Sequence, residues 1–201
     1  MTAVQAHGEY YEDLKTREFT GLGKTEYDGM KQNGYTSAMD IVKGLHSDKD
    51  RSIKTAKGNK VDCGDILSRM KEEDYEIVIG QWSQKGDSKV FHTEYTFAIK
   101  PQDYAKLWGT MTYEQVEEFD QFVKSIPKGR EGQQSTKAER TERKYKIACK
   151  DALMTIHPKV DSKSQRRVQC SFKIDKMIES GVEYTKKDIN IVIQSSIRSF
   201  I

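Results

Sequence analysis

An acidic residue and a lysine lie on two neighbouring segments of the chain that are joined by the polar turn HSDKD. The first segment, MDIVKGL, carries Asp40, and the second, RSIKTA, carries Ser52 and Lys54. If the two segments are adjacent strands, these side chains converge at one end of a sheet, because alternate residues of a strand share a face. A carboxylate can bind Mg²⁺, and a lysine beside it can orient a water or offset charge on a phosphate. The pattern therefore predicts Asp40, Ser52 and Lys54 as catalytic residues.

A second polar constellation occupies the segment KVDSKSQRRVQCSF. Apolar residues alternate along its strand and predict a buried face made of Val168, Cys170, Phe172 and Ile174. Arginine matches guanine edges and glutamine matches adenine edges in the major groove, lysine holds phosphates, and a β-ribbon can enter that groove. A solvated polar face over the same core is the alternative. The candidate DNA-binding residues are Lys159, Lys163, Gln165, Arg166, Arg167 and Gln169.

The charge of the chain is unevenly distributed. Net charge is only +3, but residues 128–176 contain fourteen Lys or Arg against six Asp or Glu. A basic segment on a mildly acidic remainder favours a partner with closely spaced phosphates, because binding releases counterions. A Lys/Arg face that only contacts water explains the same charge pattern equally well.

The composition is typical of one folded domain. The 201 residues are 35% hydrophobic and 32% charged and include 19 aromatic side chains that need burial. We expect a single domain over residues 1–201, with residues 128–176 as its DNA-contacting portion. The widely spaced cysteines predict neither a disulfide framework nor a zinc site. No apolar run approaches the ~20 residues of a membrane helix, and we expect no membrane partner and a cytoplasmic location.

The hydrophobic periodicity predicts a mixed α/β fold. The expected helices cover residues 5–19, 112–126 and 136–153, and VDCGDILSRMKEEDY reads as a turn followed by a helix. Residues 128–143 are expected to begin as a mobile loop. The expected strands cover residues 38–42, 51–56, 75–82, 89–100, 155–160, 166–174 and 189–197.

The first constellation resembles the motif of the PD-(D/E)xK nucleases and, within that family, the type II restriction endonucleases. Met39-Asp40 stands where the family has Pro-Asp, and Ser52-Ile53-Lys54 stands where it has Asp or Glu, any residue, and Lys. The segments SIKTAKGN, CGDIL and KVDSKSQRRVQCSF are also similar to restriction-enzyme sequences. The resemblance covers residues 8–70 and 155–175. A pattern as short as D…SxK also arises by chance, with Asp40 as a turn residue and Lys54 as a solvated strand lysine.

The resemblance implies a restriction-endonuclease-like fold, in which a central mixed β-sheet is flanked by helices. It also implies a Mg²⁺-dependent endonuclease that cuts double-stranded DNA at specific sites. Asp40 takes the metal-ligand role and Lys54 the catalytic-lysine role. Ser52 departs from the family, since a hydroxyl is a poor ligand for a divalent cation. Family members with this serine take the missing acid from a neighbouring element, and we favour Asp65 and Glu12 as the further metal ligands.

Other acids near these positions, Asp62 and Glu9, remain candidates for the same role. The resemblance also implies a homodimer on a palindromic site, since two-fold DNA symmetry is matched by two-fold protein symmetry. Two other functions remain open. One is a non-catalytic nucleic-acid-binding protein that uses only the basic C-terminal half of the chain. The other is a phage or mobile-element structural protein whose charged side chains only interact with water.

Overall fold

The computed structural model describes residues 6–32, 39–71, 74–161 and 163–194. The chain divides into two compact units, the first made of Met1–Val61, Asp74–Ile99 and Val182–Ile201 and the second of Asp62–Glu73 and Lys100–Gly181. The mixed α and β class is confirmed, with helices flanking the strands, but the strands form two sheets where the sequence predicts one. The expectation of a single domain stays a prediction.

The first unit is a four-stranded mixed sheet with two helices packed on it. The elements are α1 (Ala6–Thr20), α2 (Lys24–Met30), β1 (Arg51–Ala56), β3 (Tyr75–Lys85), β4 (Ser88–Ile99) and β7 (Tyr184–Gln194). The strands follow the order β1-β3-β4-β7, in which β1 and β3 are parallel and the other neighbours are antiparallel. A tight turn at Gly86 and Asp87 joins β3 to β4, as the sequence predicts.

The core of this unit fixes α1 against the sheet. The Tyr11 ring stacks on Phe91 of β4, with ring centroids 4.7 Å apart. Gly80 of β3 makes this approach possible, because a Cβ at that position would lie 2.5 Å from the Tyr11 ring. Tyr11 and Phe91 share one buried cluster with Tyr27 of α2 and Ile53 of β1. Helix α1 is therefore held beside β1, which carries two of the predicted catalytic residues.

The second unit packs helices against a three-stranded sheet. The elements are β2 (Lys60–Asp65, which enters this unit at Asp62), α3 (Ile66–Met70), α4 (Tyr104–Trp108), α5 (Tyr113–Ser125), α6 (Arg130–Ser135), α7 (Lys137–Ile147), β5 (Thr155–Val160), β6 (Arg166–Lys173) and α8 (Ile174–Glu179). The strand order is β2-β6-β5. Buried Val116, Phe119 and Val123 form the inner face of α5, and the carboxylate of Asp120 on that helix accepts a hydrogen bond from the backbone N–H of Val168 at 2.8 Å.

The strand predicted over residues 38–42 is wrong for its described part. Residue 38 lies outside the described residues, and from Met39 onward the chain forms bends and turns. Ile41 alone makes a β-bridge, to Arg51. The carboxylate of Asp40, the residue before Ile41, accepts the hydrogen bond of the N–H of Ile53, two residues after Arg51, and replaces the carbonyl that a continuing ladder would supply.

Three further boundaries differ from the prediction. VDCGDIL begins as strand β2 instead of a turn, and the helix after it is short. Residues 128–135, expected as a mobile loop, contain α6, and the helix expected over residues 136–153 is α7, which ends at Ile147. Strand β6 ends at Lys173, so Ile174 begins a helix, although Val168, Cys170 and Phe172 are buried as predicted. None of the helices formed by the described residues is long and apolar enough to cross a membrane.

Candidate active site

Asp40 lies in the irregular segment that runs along the outer edge of β1. The bridge between Ile41 and Arg51 fixes this segment through two backbone hydrogen bonds of 3.0 and 2.8 Å. The Arg51 side chain is nearly buried and donates to Glu76 and to Ser47 in the connecting turn, at 2.7 and 2.6 Å. The HSDKD turn is thus anchored to the sheet, and Asp40 has a defined position beside the strand.

Three hydrogen-bond donors of β1 converge on one oxygen of Asp40. Oδ2 accepts from the Ser52 hydroxyl at 3.2 Å, from the Ile53 backbone N–H at 2.6 Å and from Lys54 Nζ at 3.0 Å. Lys54 Nζ also donates to the Ile53 carbonyl oxygen at 2.9 Å. The structure therefore brings together the three residues predicted as catalytic, although Asp40 is not on a strand.

Glu12 of α1 adds a second carboxylate near Asp40. Burial raises the pKa of the Glu12 carboxyl above its usual value, the negative charge of Asp40 raises it further, and Lys24 and Lys54 oppose the rise. Glu12, one of the two further ligands inferred from the sequence, is thus near enough to Asp40 and Lys54 for their charges to shift its pKa. We refer to Glu12, Asp40 and Lys54 as the corner.

Helix α2 contributes charged residues that the sequence analysis missed. Lys24 Nζ lies 2.9 Å from Glu12 Oε1 and 2.6 Å from Asp28 Oδ2. Lys31, just beyond the helix, pairs with Asp28 at 2.6 Å and donates to the Asp40 carbonyl oxygen at 3.2 Å. The helical spacing of Lys24 and Asp28 predicts their mutual ion pair, but only the packing of α2 on α1 reveals the contact with Glu12.

The remaining acids inferred from the sequence lie elsewhere. Asp65 is in the second unit, where its carboxylate caps α3 by accepting from Ser68 N at 2.9 Å and Ser68 Oγ at 3.1 Å. Asp62 is exposed in the same unit, and Glu9 is exposed on α1. Within the described ranges, no three His, Cys, Asp or Glu side chains are grouped so that they could hold a metal ion.

The donor chemistry of the corner nevertheless fits a Mg²⁺ ion. This ion is usually held by one or two carboxylates, with waters and substrate phosphates completing its coordination. Asp40 and Glu12 supply the two carboxylates, and the Ile53 carbonyl oxygen is a third hard oxygen on the same side as Lys54 Nζ. Oxygen ligands of this kind suit Mg²⁺ better than Zn²⁺ or copper, which prefer nitrogen and sulfur.

The second constellation forms a β-ribbon in the second unit. Strands β5 and β6 pair antiparallel, with Lys159 opposite Arg167 and His157 opposite Gln169. Lys159, Lys163, Gln165 and Arg167 are exposed, and Gln169 is half-buried. In the amide orientation that suits its neighbours, the Gln169 oxygen accepts from Arg167 Nε and Nη2, each at 3.1 Å. Five of the six candidate DNA-binding residues therefore retain at least part of their surface for a partner.

Arg166 differs from this group because its guanidinium is hydrogen-bonded to backbone carbonyl groups of the second unit. Only 5% of its side chain is exposed, and it donates to the carbonyl oxygens of Ile126, Pro127, Asp161 and Gln165 at 2.6 to 3.1 Å. It shares the strand face of buried Val168. In this structure, Arg166 joins the end of α5 to the ribbon turn and does not present its donors to a DNA base.

This placement predicts a stability effect at Arg166. Arg166→Met should lower the free energy of unfolding of the second unit by about 2 kcal/mol or more, because four backbone carbonyl groups lose the charged donor of a nearly buried side chain. Urea unfolding followed by circular dichroism measures the effect. Arg167→Met is the matched control, since that side chain is exposed, and it should leave the midpoint nearly unchanged. Equal midpoints for the two variants would contradict the structural role.

We found no match between this chain and a protein-family model, a curated protein or a solved structure.

Proposed function

We propose that this chain is a Mg²⁺-dependent endonuclease that hydrolyses phosphodiester bonds of double-stranded DNA, in the manner of a type II restriction enzyme with a restriction-endonuclease-like fold. The observation that carries the proposal is the convergence of Asp40 and Lys54, whose Oδ2 and Nζ are 3.0 Å apart, with Glu12 beside them. Asp40, in the irregular segment, and Lys54, on β1, meet at the edge of the sheet. A chance D…SxK pattern does not require this contact.

In this proposal the carboxylates of Asp40 and Glu12 would hold Mg²⁺. When bound, the ion supplies positive charge that offsets the negative charge developing on the phosphate. The Ser52 hydroxyl and the Ile53 N–H keep the Asp40 carboxylate oriented through their hydrogen bonds of 3.2 and 2.6 Å. Ser52 is almost fully buried, so its role is to position Asp40 and not to attack the substrate.

Lys54 has the direct role in the hydrolysis. Its side chain is 21% exposed, so its ammonium group can donate to a phosphate oxygen or orient the attacking water while it remains near Asp40. The water oxygen forms a bond to phosphorus and releases a proton to solvent, the bond between phosphorus and the 3′ oxygen breaks, and the leaving oxygen takes up a proton from solvent. The fixed positive charge of Lys54 stabilises the transition state because negative charge spreads over the phosphate oxygens.

The β5–β6 ribbon supplies the proposed DNA contacts. Arg167, Gln165, Gln169, Lys159 and Lys163 provide arginine, amide and ammonium donors on one ribbon and its turn. Arginine and glutamine suit base edges, whereas lysine suits phosphates. Site specificity and a homodimer matched to a palindromic site are further parts of the proposal, inferred from the resemblance described above.

The ribbon contacts predict a specific loss of DNA affinity. Arg167→Met should weaken duplex binding and reduce the slope of log affinity against log salt by about one if Arg167 contacts a phosphate. If it reads a base, specificity at one position should relax with little change in slope. Fluorescence anisotropy with a labelled duplex over a salt series measures both. Parent-like affinity, slope and specificity together would contradict a contact at Arg167.

The activity itself is tested by incubating the parent chain with supercoiled plasmid and Mg²⁺, with a parallel reaction in EDTA. We expect linear or nicked DNA only with Mg²⁺. Sequencing the fragment ends from a digested genome then reports specificity and symmetry, because one recurring palindromic end is expected. Salt-dependent binding without cutting would favour the non-catalytic nucleic-acid-binding protein, and the absence of binding at low salt would favour a structural protein.

A further inference from the structure

The ammonium group of Lys24 forms an ion pair with the Glu12 carboxylate. Its Nζ lies 2.9 Å from Glu12 Oε1, and only 23% of the Lys24 side chain and 22% of the Glu12 side chain are exposed. In the proposed function, Glu12 is a ligand of the divalent ion. The ammonium of Lys24 and a divalent cation would therefore compete for the same carboxylate.

The charges around this corner balance without a metal. The carboxylates of Glu12, Asp28 and Asp40 are matched by the ammonium groups of three lysines, which are Lys24, Lys31 and Lys54. A divalent cation adds two positive charges to this neutral set. Because like charges repel strongly where water is partly excluded, one of the ammonium groups must withdraw as the cation enters.

Lys24 is the lysine that can move away from Glu12, because Asp28 gives its ammonium group a second carboxylate partner. Lys24 Nζ also lies 2.6 Å from Asp28 Oδ2, so it keeps a carboxylate partner when it releases Glu12. Breaking a partly buried ion pair is costly when it leaves one charge unpaired. Here the released ammonium stays paired with Asp28, and the released carboxylate gains the metal, so neither charge is left alone.

We propose that Lys24 holds Glu12 in the metal-free protein and yields this carboxylate to the divalent cation while remaining on Asp28. Lys24 thereby weakens metal binding and is a further affinity-determining residue of the site. This inference rests on the proposed function, because it takes the corner of Asp40 and Glu12 as the metal site.

A double-mutant cycle on Mn²⁺ binding tests the exchange without any cleavage assay. Mn²⁺ is titrated into the full chain, and bound ion is measured by electron paramagnetic resonance or calorimetry. Lys24→Met should tighten binding about tenfold, equivalent to about 1.4 kcal/mol. In a Glu12→Gln background the same substitution should change Mn²⁺ affinity by less than about twofold, because the carboxylate for which Lys24 and the ion compete is absent.

The cycle separates direct competition from general electrostatics. If Lys24 only repels the ion through space, the tightening persists in the Glu12→Gln background, and that result would overturn the proposal, as would parent-like affinity in Lys24→Met. Lys49→Met is the matched control, since Lys49 pairs with Glu76 at 2.7 Å in the same unit, and it should leave Mn²⁺ affinity unchanged.

Failure of the proposed function gives a different result. If Asp40→Asn binds Mn²⁺ as the parent does, the metal site itself is wrong and the inference falls with it. If Asp40→Asn loses binding but the cycle shows no coupling, only the role of Lys24 is refuted.

A second measurement needs no substitution. During Mg²⁺ titration of the parent chain, the ¹⁵Nζ resonance of Lys24 should shift and that of Lys49 should not. An unshifted Lys24 resonance at saturating Mg²⁺ would contradict the exchange.

Discussion

Lys54→Met should lower the rate of plasmid cleavage by at least about 10²-fold while duplex binding stays close to that of the parent chain. Methionine has nearly the same length as lysine but cannot donate to a phosphate oxygen or to the Asp40 carboxylate, 3.0 Å away in the parent. Two of the three donors on Asp40 Oδ2 remain, so the carboxylate keeps its position. The rate is measured as loss of supercoiled plasmid in Mg²⁺, and binding as anisotropy of a labelled duplex without Mg²⁺.

Lys43→Met is the control for loss of positive charge in this region. Lys43 is exposed in the same irregular segment as Asp40, and only its backbone N–H is hydrogen-bonded to Asp50. We expect Lys43→Met to cut at nearly the parent rate. Parent-like cutting by Lys54→Met would exclude this lysine from the reaction, and equal loss of binding and cutting would assign it to DNA affinity alone.

Glu94→Leu should lower the free energy of unfolding of the first unit by about 3 to 5 kcal/mol, because it leaves a buried ammonium group without its buried partner. Lys15 is 3% exposed and lies 2.5 Å from Glu94, which also accepts the Tyr11 hydroxyl at 2.6 Å. Glu18, its other partner, is 48% exposed on α1 and cannot replace that buried carboxylate. Urea unfolding followed by circular dichroism measures the loss.

Removing the whole buried polar set provides the control. The triple variant Tyr11→Phe, Lys15→Met and Glu94→Leu should recover much of the stability, since an apolar replacement of a buried ion pair is often neutral or stabilising. Arg17→Met removes an exposed ion pair with Asp13 from the same helix and should leave the midpoint unchanged. A single Glu94→Leu variant as stable as the parent would refute the importance of this network.

Local sequence patterns were sufficient for many of the elements. Helix α1, the β3–β4 hairpin, helix α5 and the β5–β6 ribbon follow directly from apolar periodicity and turn residues. Strand β1 was also predicted at its observed bounds, which placed Ser52 and Lys54 correctly. These features depend on neighbours within one or two elements, so the sequence carries their signal.

The features that were missed depend on packing between distant segments. Asp40 was expected on a strand, but its own carboxylate takes the Ile53 N–H and ends the ladder after one bridge. Arg166 was expected to read bases, yet carbonyl groups of Ile126 and Pro127, distant in sequence, surround its guanidinium. Lys24 has no motif around it, and its contact with Glu12 arises only because α2 packs against α1. The pairing of β2 with β6 in a second sheet likewise depends on contacts between segments that are distant in sequence.

The most direct measurement of the proposed metal corner is anomalous diffraction from crystals of the parent chain soaked in Mn²⁺. We predict one strong Mn²⁺ peak in contact with the Asp40 carboxylate and with Glu12, with the Lys54 ammonium nearby, and its disappearance in Asp40→Asn crystals. A peak bound by other residues, or none at this corner at a Mn²⁺ concentration that supports cleavage, would contradict the account.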